Sequence, residues 1–64
     1  MSWEPKPGDI AYPNWLSRGS YVVVVESSED TVKFRTFNPG QEPYEQTVRL
    51  STFLGRYEPA KVLD

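Results

Sequence analysis

The stretch YVVVVESSEDTVKFRTF, residues 21–37, contains two strands and the turn between them. Its first half, residues 21–26, is aromatic and β-branched. Gly19 and Ser20 bound it on one side, and Ser27, Ser28, Glu29 and Asp30 on the other. A run of that kind, closed at both ends by turn formers, reads as a strand. Four consecutive valines give it two apolar faces, as expected of a long, bent central strand shared by two sheets of a small barrel. The second half, residues 31–37, alternates: Val32 and Phe34 fall on one face, Lys33, Arg35 and Phe37 on the other. A hairpin loop of two or four residues pairs odd positions of the first strand with even positions of the second. That parity predicts a core face of Tyr21, Val23, Val25, Val32, Phe34 and Thr36. Val22, Val24 and Glu26 then share the outside with Lys33 and Arg35. A two-residue loop sets Glu26 across from Lys33, a favourable pair worth roughly 0.2–1 kcal/mol.

Working outward, residues 1–7 hold two prolines and read as an irregular arm. Gly8 and Asp9 form a turn into a short strand at 10–12, which Pro13 and Asn14 end. Residues 15–20 are a loop hinged at Gly19. On the other side, Asn38-Pro39-Gly40 suits a type II turn, with proline and glycine at its two central positions. A strand follows at 45–50, with Val48 and Leu50 facing in and Thr47 and Arg49 facing out. Ser51 is positioned to cap one helical turn, Thr52-Phe53-Leu54, with Gly55 as its terminator. Residues 56–58 form a last short strand, Pro59 breaks it, and 60–64 is a tail that either frays or adds a contact through Val62 and Leu63. The predicted order is a short strand, a long loop, a three-strand meander, one helical turn and a short strand. That order is the layout of an all-β, SH3-like five-stranded barrel, and it predicts that Val23, Val25, Val32, Phe34, Val48 and Leu50 are buried together.

The chain has 64 residues, which leaves room for one domain and one core. A chain this short buries only about 60% of its unfolded surface, so each large apolar residue counts. It has no cysteine and no histidine. Disulfides are therefore impossible, and thiolate or imidazole metal sites have no ligands. Stability must come from packing. Aromatics make up 14% of the residues, and each serves either to fill a tiny core or to line a surface. The net charge of −2 argues against nonspecific nucleic-acid binding. The polar, proline-rich start carries no apolar run, so neither a signal peptide nor a membrane span is expected, and a cytoplasmic location is.

Catalysis is not expected. The carboxylate pairs Glu29 with Asp30 and Glu42 with Glu45 fall in loops or at strand starts, where nothing buries them to shift a pKa. Glu29 and Asp30 also lack the further oxygen ligands and the glycine of a calcium loop. No glycine-rich phosphate loop is present, and no cofactor is expected. For protein binding the candidates are Tyr12, Trp15 and Leu16 in and beside the first long loop, Tyr44 in the Pro-Gly loop, and Tyr57 after the helical turn. Together they suggest an aromatic groove for an extended peptide. Trp15 fits equally a plug in an open barrel end, and Trp3 likewise fits either a lid or an exposed anchor. For nucleic acid the alternative candidates are Lys33, Arg35, Phe37 and Arg49, a basic face with one ring for stacking. Glu26 and Glu45 share that face and oppose its charge.

Three segments carry a family likeness: Gly19 to Val25, Asp30 to Arg35, and Val48 to Leu54, preceded by the turn Pro7-Gly8-Asp9. Over residues 7–58 the chain resembles small SH3-like barrel proteins of bacteria and bacteriophages. Eukaryotic SH3 domains carry an Ala-Leu-Tyr-Asp-Tyr-like segment and an acidic first loop. This chain has Ile10-Ala11-Tyr12-Pro13 and a loop that is not acidic, so proline-rich ligands are not implied. The resemblance implies a stand-alone accessory or regulatory protein that docks on a larger protein. A self-assembling structural component, joined through an exposed strand edge, is the further alternative.

Overall fold

The computed structural model describes residues 3–14 and 19–60. Trp15, Leu16 and the tail residues Val62 and Leu63 lie outside the described residues. The chain forms five strands and one helix: β1 (Ile10–Pro13), β2 (Tyr21–Ser27), β3 (Thr31–Phe37), β4 (Tyr44–Arg49), α1 (Leu50–Arg56) and β5 (Tyr57–Pro59). All pairings are antiparallel, and the sheet order is β4-β3-β2-β1-β5. Among the described residues β4 and β5 are the two edges, and α1 runs between them across one face. The element order expected from sequence is therefore present, in an open five-stranded sheet.

The turns follow from their residues. Gly8 and Gly40 adopt positive φ, as the second central position of a type II turn requires. The Asp9 N–H donates to the Lys6 carbonyl at 2.9 Å, and the Gln41 N–H to the Asn38 carbonyl at 3.2 Å. The β2–β3 hairpin turns on Glu29 and Asp30 without a glycine. Its geometry is held by the Ser28 hydroxyl, which accepts from the N–H groups of Asp30 and Thr31.

That two-residue turn sets Glu26 opposite Lys33, as the parity argument required. The parity then changes. The register shifts between Val24 and Glu26, with Val25 the extra residue of a β-bulge. Beyond it Val24 pairs with Phe34, Val22 with Thr36 and Tyr21 with Phe37. The expected core face is thereby corrected in β2. Val22 and Val24 are buried, Val23 is half-buried on the opposite face, and Tyr21 and Val25 are exposed. In β3 the expectation holds, with Val32, Phe34 and Thr36 buried.

The core is Ala11, Val22, Val24, Val32, Phe34, Phe53 and Tyr57, with Trp3, Val48, Leu50 and Leu54 packed against it. Phe53 projects from α1 onto the sheet, its ring centroid 5.3 Å from that of Phe34 and 4.8 Å from that of Tyr57. Trp3 lies 5.5 Å from Phe53, so the N-terminal segment brings a lid to the core. Such ring pairs add about 0.5–1.5 kcal/mol each beyond the area they bury.

The helix is longer than the single turn expected. It begins at Leu50, its cap residue is Arg49 rather than Ser51, and no side chain caps it. The Leu50 N–H instead donates to the Asp30 carbonyl at 2.7 Å, tying the helix start to the hairpin turn. Gly55 lies inside the last turn, and the N–H of Tyr57 closes the helix on the Phe53 carbonyl.

Candidate functional site

Cross-strand partners in an antiparallel sheet point to the same face. Rows of partners therefore map the face turned away from α1. One row runs Ile10, Val23, Arg35, Glu45. A second joins Tyr21 to Phe37, with Tyr12 opposite Glu58 on the β1 side. A third runs Glu26, Lys33, Thr47. The outer face thus carries an apolar strip across β1, β2 and β3, made of Ile10, Tyr12, Tyr21, Val23 and Phe37. Ile10 is 44% exposed and Tyr12 51%. The Tyr21 and Phe37 rings stack, with centroids 4.9 Å apart and planes at 12°.

Beside the strip lies an ion cluster. The Glu45 carboxylate accepts from Arg35 Nη2 at 3.0 Å and lies 3.5 Å from Lys33 Nζ. The hydrogen bond from Arg35 holds the Glu45 carboxyl below its ordinary value. Partial desolvation opposes this, and the Lys33 charge reinforces it. Arg49 lies on the same face, opposite Thr31, and makes no ion pair among the described residues.

The four residues proposed for nucleic acid, Lys33, Arg35, Phe37 and Arg49, do share one face. Glu45 engages two of the three cations, and Glu26 stands across from Lys33. The residues proposed for protein binding are separated. Tyr12 is on the outer face. Tyr44 is exposed on the other side of the sheet, opposite buried Thr36. Tyr57 is a core residue at 9% exposure, stacked on Phe53, so its ring does not line an open groove. Burial pushes the Tyr57 phenol above its ordinary value, and the nearby Tyr44 adds to the shift while Arg56 opposes it. Trp15 and Leu16 lie outside the described residues.

Ile10, Tyr21 and Val23 belong to the outer strip, with Val23 half-buried in it, and were missed from sequence. The bulge that turns Tyr21 and Val23 outward sits in a run of identical residues and leaves no mark there. A usable signal lay across the sheet: the alternation of β3 puts Phe37 outside, where its stacking partner had to come from the neighbouring strand end.

Among the carboxylates considered for chemistry, Glu29 and Asp30 form the exposed hairpin turn, Glu42 is exposed, and Glu45 is ion-paired. Among the described residues no group of three acidic, histidine or cysteine side chains is placed to hold a metal ion, and no helix is long and apolar enough to cross a membrane. Comparison with protein-family models, with curated proteins and with solved structures finds no match to this chain.

Proposed function

We propose that this chain is a small, non-catalytic binding module of SH3-like layout that docks on a larger protein through its outer sheet face. The observation that carries the reading is the strip of Ile10, Tyr12, Tyr21, Val23 and Phe37. It is a contiguous run of aliphatic and aromatic side chains on a face that no other described element covers. Exposed apolar surface rimmed by paired charges is the usual composition of a protein interface: aromatic anchors at the centre, polar groups at the edge. The SH3-like part of the reading is supported by the strand order, in which the last strand lies beside the first and a helix precedes it. The likeness to small barrel proteins of bacteria and phages supports an accessory or regulatory role.

The test is affinity capture from a lysate of the source cell with three immobilised chains. These are the wild type, the double variant Tyr12→Ser with Tyr21→Ser, and a control, Glu42→Gln, in the exposed β3–β4 loop. A protein held by the wild type and the control but released by the double variant is the expected result. Equal retention by all three, or by none, removes the reading. The stacked Tyr21–Phe37 pair beside Arg35 also favours a second reading, single-stranded nucleic acid stacking on that pair. The Glu45 ion pairs weaken it, and a gel shift at low salt, lost in Phe37→Ser, is what it requires.

A further inference from the structure

The two edges of the sheet are unlike. β5 is three residues long and ends in Pro59, and the next N–H, of Ala60, is donated to the Ile10 carbonyl at 2.9 Å. Shortness and proline are the ordinary protections of an edge. β4 has neither. Its six residues, Tyr44–Arg49, include no proline, glycine or bulge, and five of them are exposed. One side of β4 is hydrogen-bonded to β3. Its other side meets no strand among the described residues, so it presents backbone donors and acceptors along its length.

We propose that this edge pairs with β4 of a second copy of the chain, antiparallel, about a two-fold axis at Thr47. A two-fold antiparallel pairing keeps equivalent faces together, so only registers centred on a residue are allowed. Centring on Thr47 places Thr47 opposite its own copy and Gln46 opposite Val48. On the outer face it sets Glu45 opposite Arg49 of the second copy, and Arg49 opposite that copy's Glu45. Both ends of the ladder thus carry opposite charges, and Thr–Thr contact at the centre is a favoured cross-strand pair. Arg49, which makes no ion pair among the chain's own described residues, gains one. On the other face Tyr44, 46% exposed, comes level with Leu50 of the second copy. Registers centred on Gln46 or Val48 place Thr47 opposite Glu45 or Arg49 and join no opposite charges. The charge pattern of the strand is therefore self-complementary in one register. A second copy is favoured over an unrelated extended peptide because the edge supplies its own complement.

A ladder of this length lies at the small end of interface sizes, so the dimer is expected to be weak and concentration-dependent. Sedimentation equilibrium from micromolar to millimolar protein at low salt reads it directly. The wild type is expected to show a monomer–dimer equilibrium that weakens as salt is added. Thr47→Lys meets Lys33 across the β3–β4 ladder in monomer and dimer alike, but two introduced charges come face to face across the axis only in the dimer, and dimerisation is expected to weaken by about tenfold or more. Glu45→Arg and Arg49→Glu each oppose like charges at both ends and should stay monomeric alone. An equimolar mixture of the two restores opposite charges at both ends and should dimerise. Circular dichroism confirms that each exposed-site variant is folded. A wild type that is monomeric throughout overturns the proposal. So does self-association that Thr47→Lys leaves unchanged, or a mixture that fails to recover, since either places the contact elsewhere.

Discussion

Replacing each of the four valines of β2 singly by threonine tests the bulge and the face assignment together. Threonine keeps the shape and the strand preference of valine but exchanges a methyl for a hydroxyl. Val22 and Val24 are 0% and 1% exposed, against the rings of the core. A hydroxyl there is buried among apolar neighbours, and an unsatisfied buried hydroxyl costs about 1–3 kcal/mol. Val25 is 36% exposed and Val23 half-buried on the open face, so water reaches a hydroxyl at either site, and the cost falls below about 1 kcal/mol. A 64-residue domain has roughly 3–10 kcal/mol of stability in all, so the two classes are well separated. Urea unfolding followed by tryptophan fluorescence gives the midpoints, with Trp3 on Phe53 as a reporter. In thermal unfolding each kcal/mol moves the transition by about 4–8 °C for a chain of this size. The expected order is Val22→Thr and Val24→Thr strongly destabilised, Val23→Thr and Val25→Thr little changed. The reverse order would place the bulge elsewhere and refute the assignment of faces.

Thr36→Val is expected to raise stability by about 1–2 kcal/mol, measured as a higher urea midpoint at unchanged slope, because Thr36 Oγ1 is buried with no hydrogen-bond partner among the described residues. A lower midpoint would show that the hydroxyl is satisfied. The Glu45 side-chain carboxyl, followed by NMR, should titrate below the ordinary value of 4.5 and return toward it in Arg35→Gln. Because folding lowers this pKa, the contribution of the ion cluster is present above the unfolded value and is lost as pH falls through the folded one. Added salt should shrink the shift, since the groups face solvent.

Much of the fold was legible because local chemistry dictates it. Proline and glycine punctuate the chain at Pro7-Gly8 and Pro39-Gly40, and both sites form the turns those residues favour. The alternation of β3 shows its buried face directly, and the two-residue turn at Glu29 and Asp30 placed Glu26 across from Lys33. The inward side of β2 was not legible, for a physical reason. A strand face is read from contrast between neighbours, and four valines offer none, so one extra residue reverses the parity of everything before it. The burial of Tyr57 was not legible for a different reason. Its burial depends on Phe53 and Phe34, which reach it from a helix and a strand that no local pattern joins to it. The outer strip follows from the bulge, and it could not be seen until the bulge was.

The valine run also bears on how the hairpin closes. Pairing that starts at the Glu29–Asp30 turn reaches Glu26 and must then skip one residue to bring Tyr21 level with Phe37. Because the residues available to be skipped are chemically the same, a skip at any of them still sets a valine opposite Phe34 and Tyr21 opposite Phe37, although which valine faces the core depends on where the skip falls. The search for register therefore has several productive outcomes where a varied sequence would have one. A statistical factor of this kind offsets part of the entropy lost on zipping two strands together. A repeat that hid the register from inspection thus makes it easier for the chain to find.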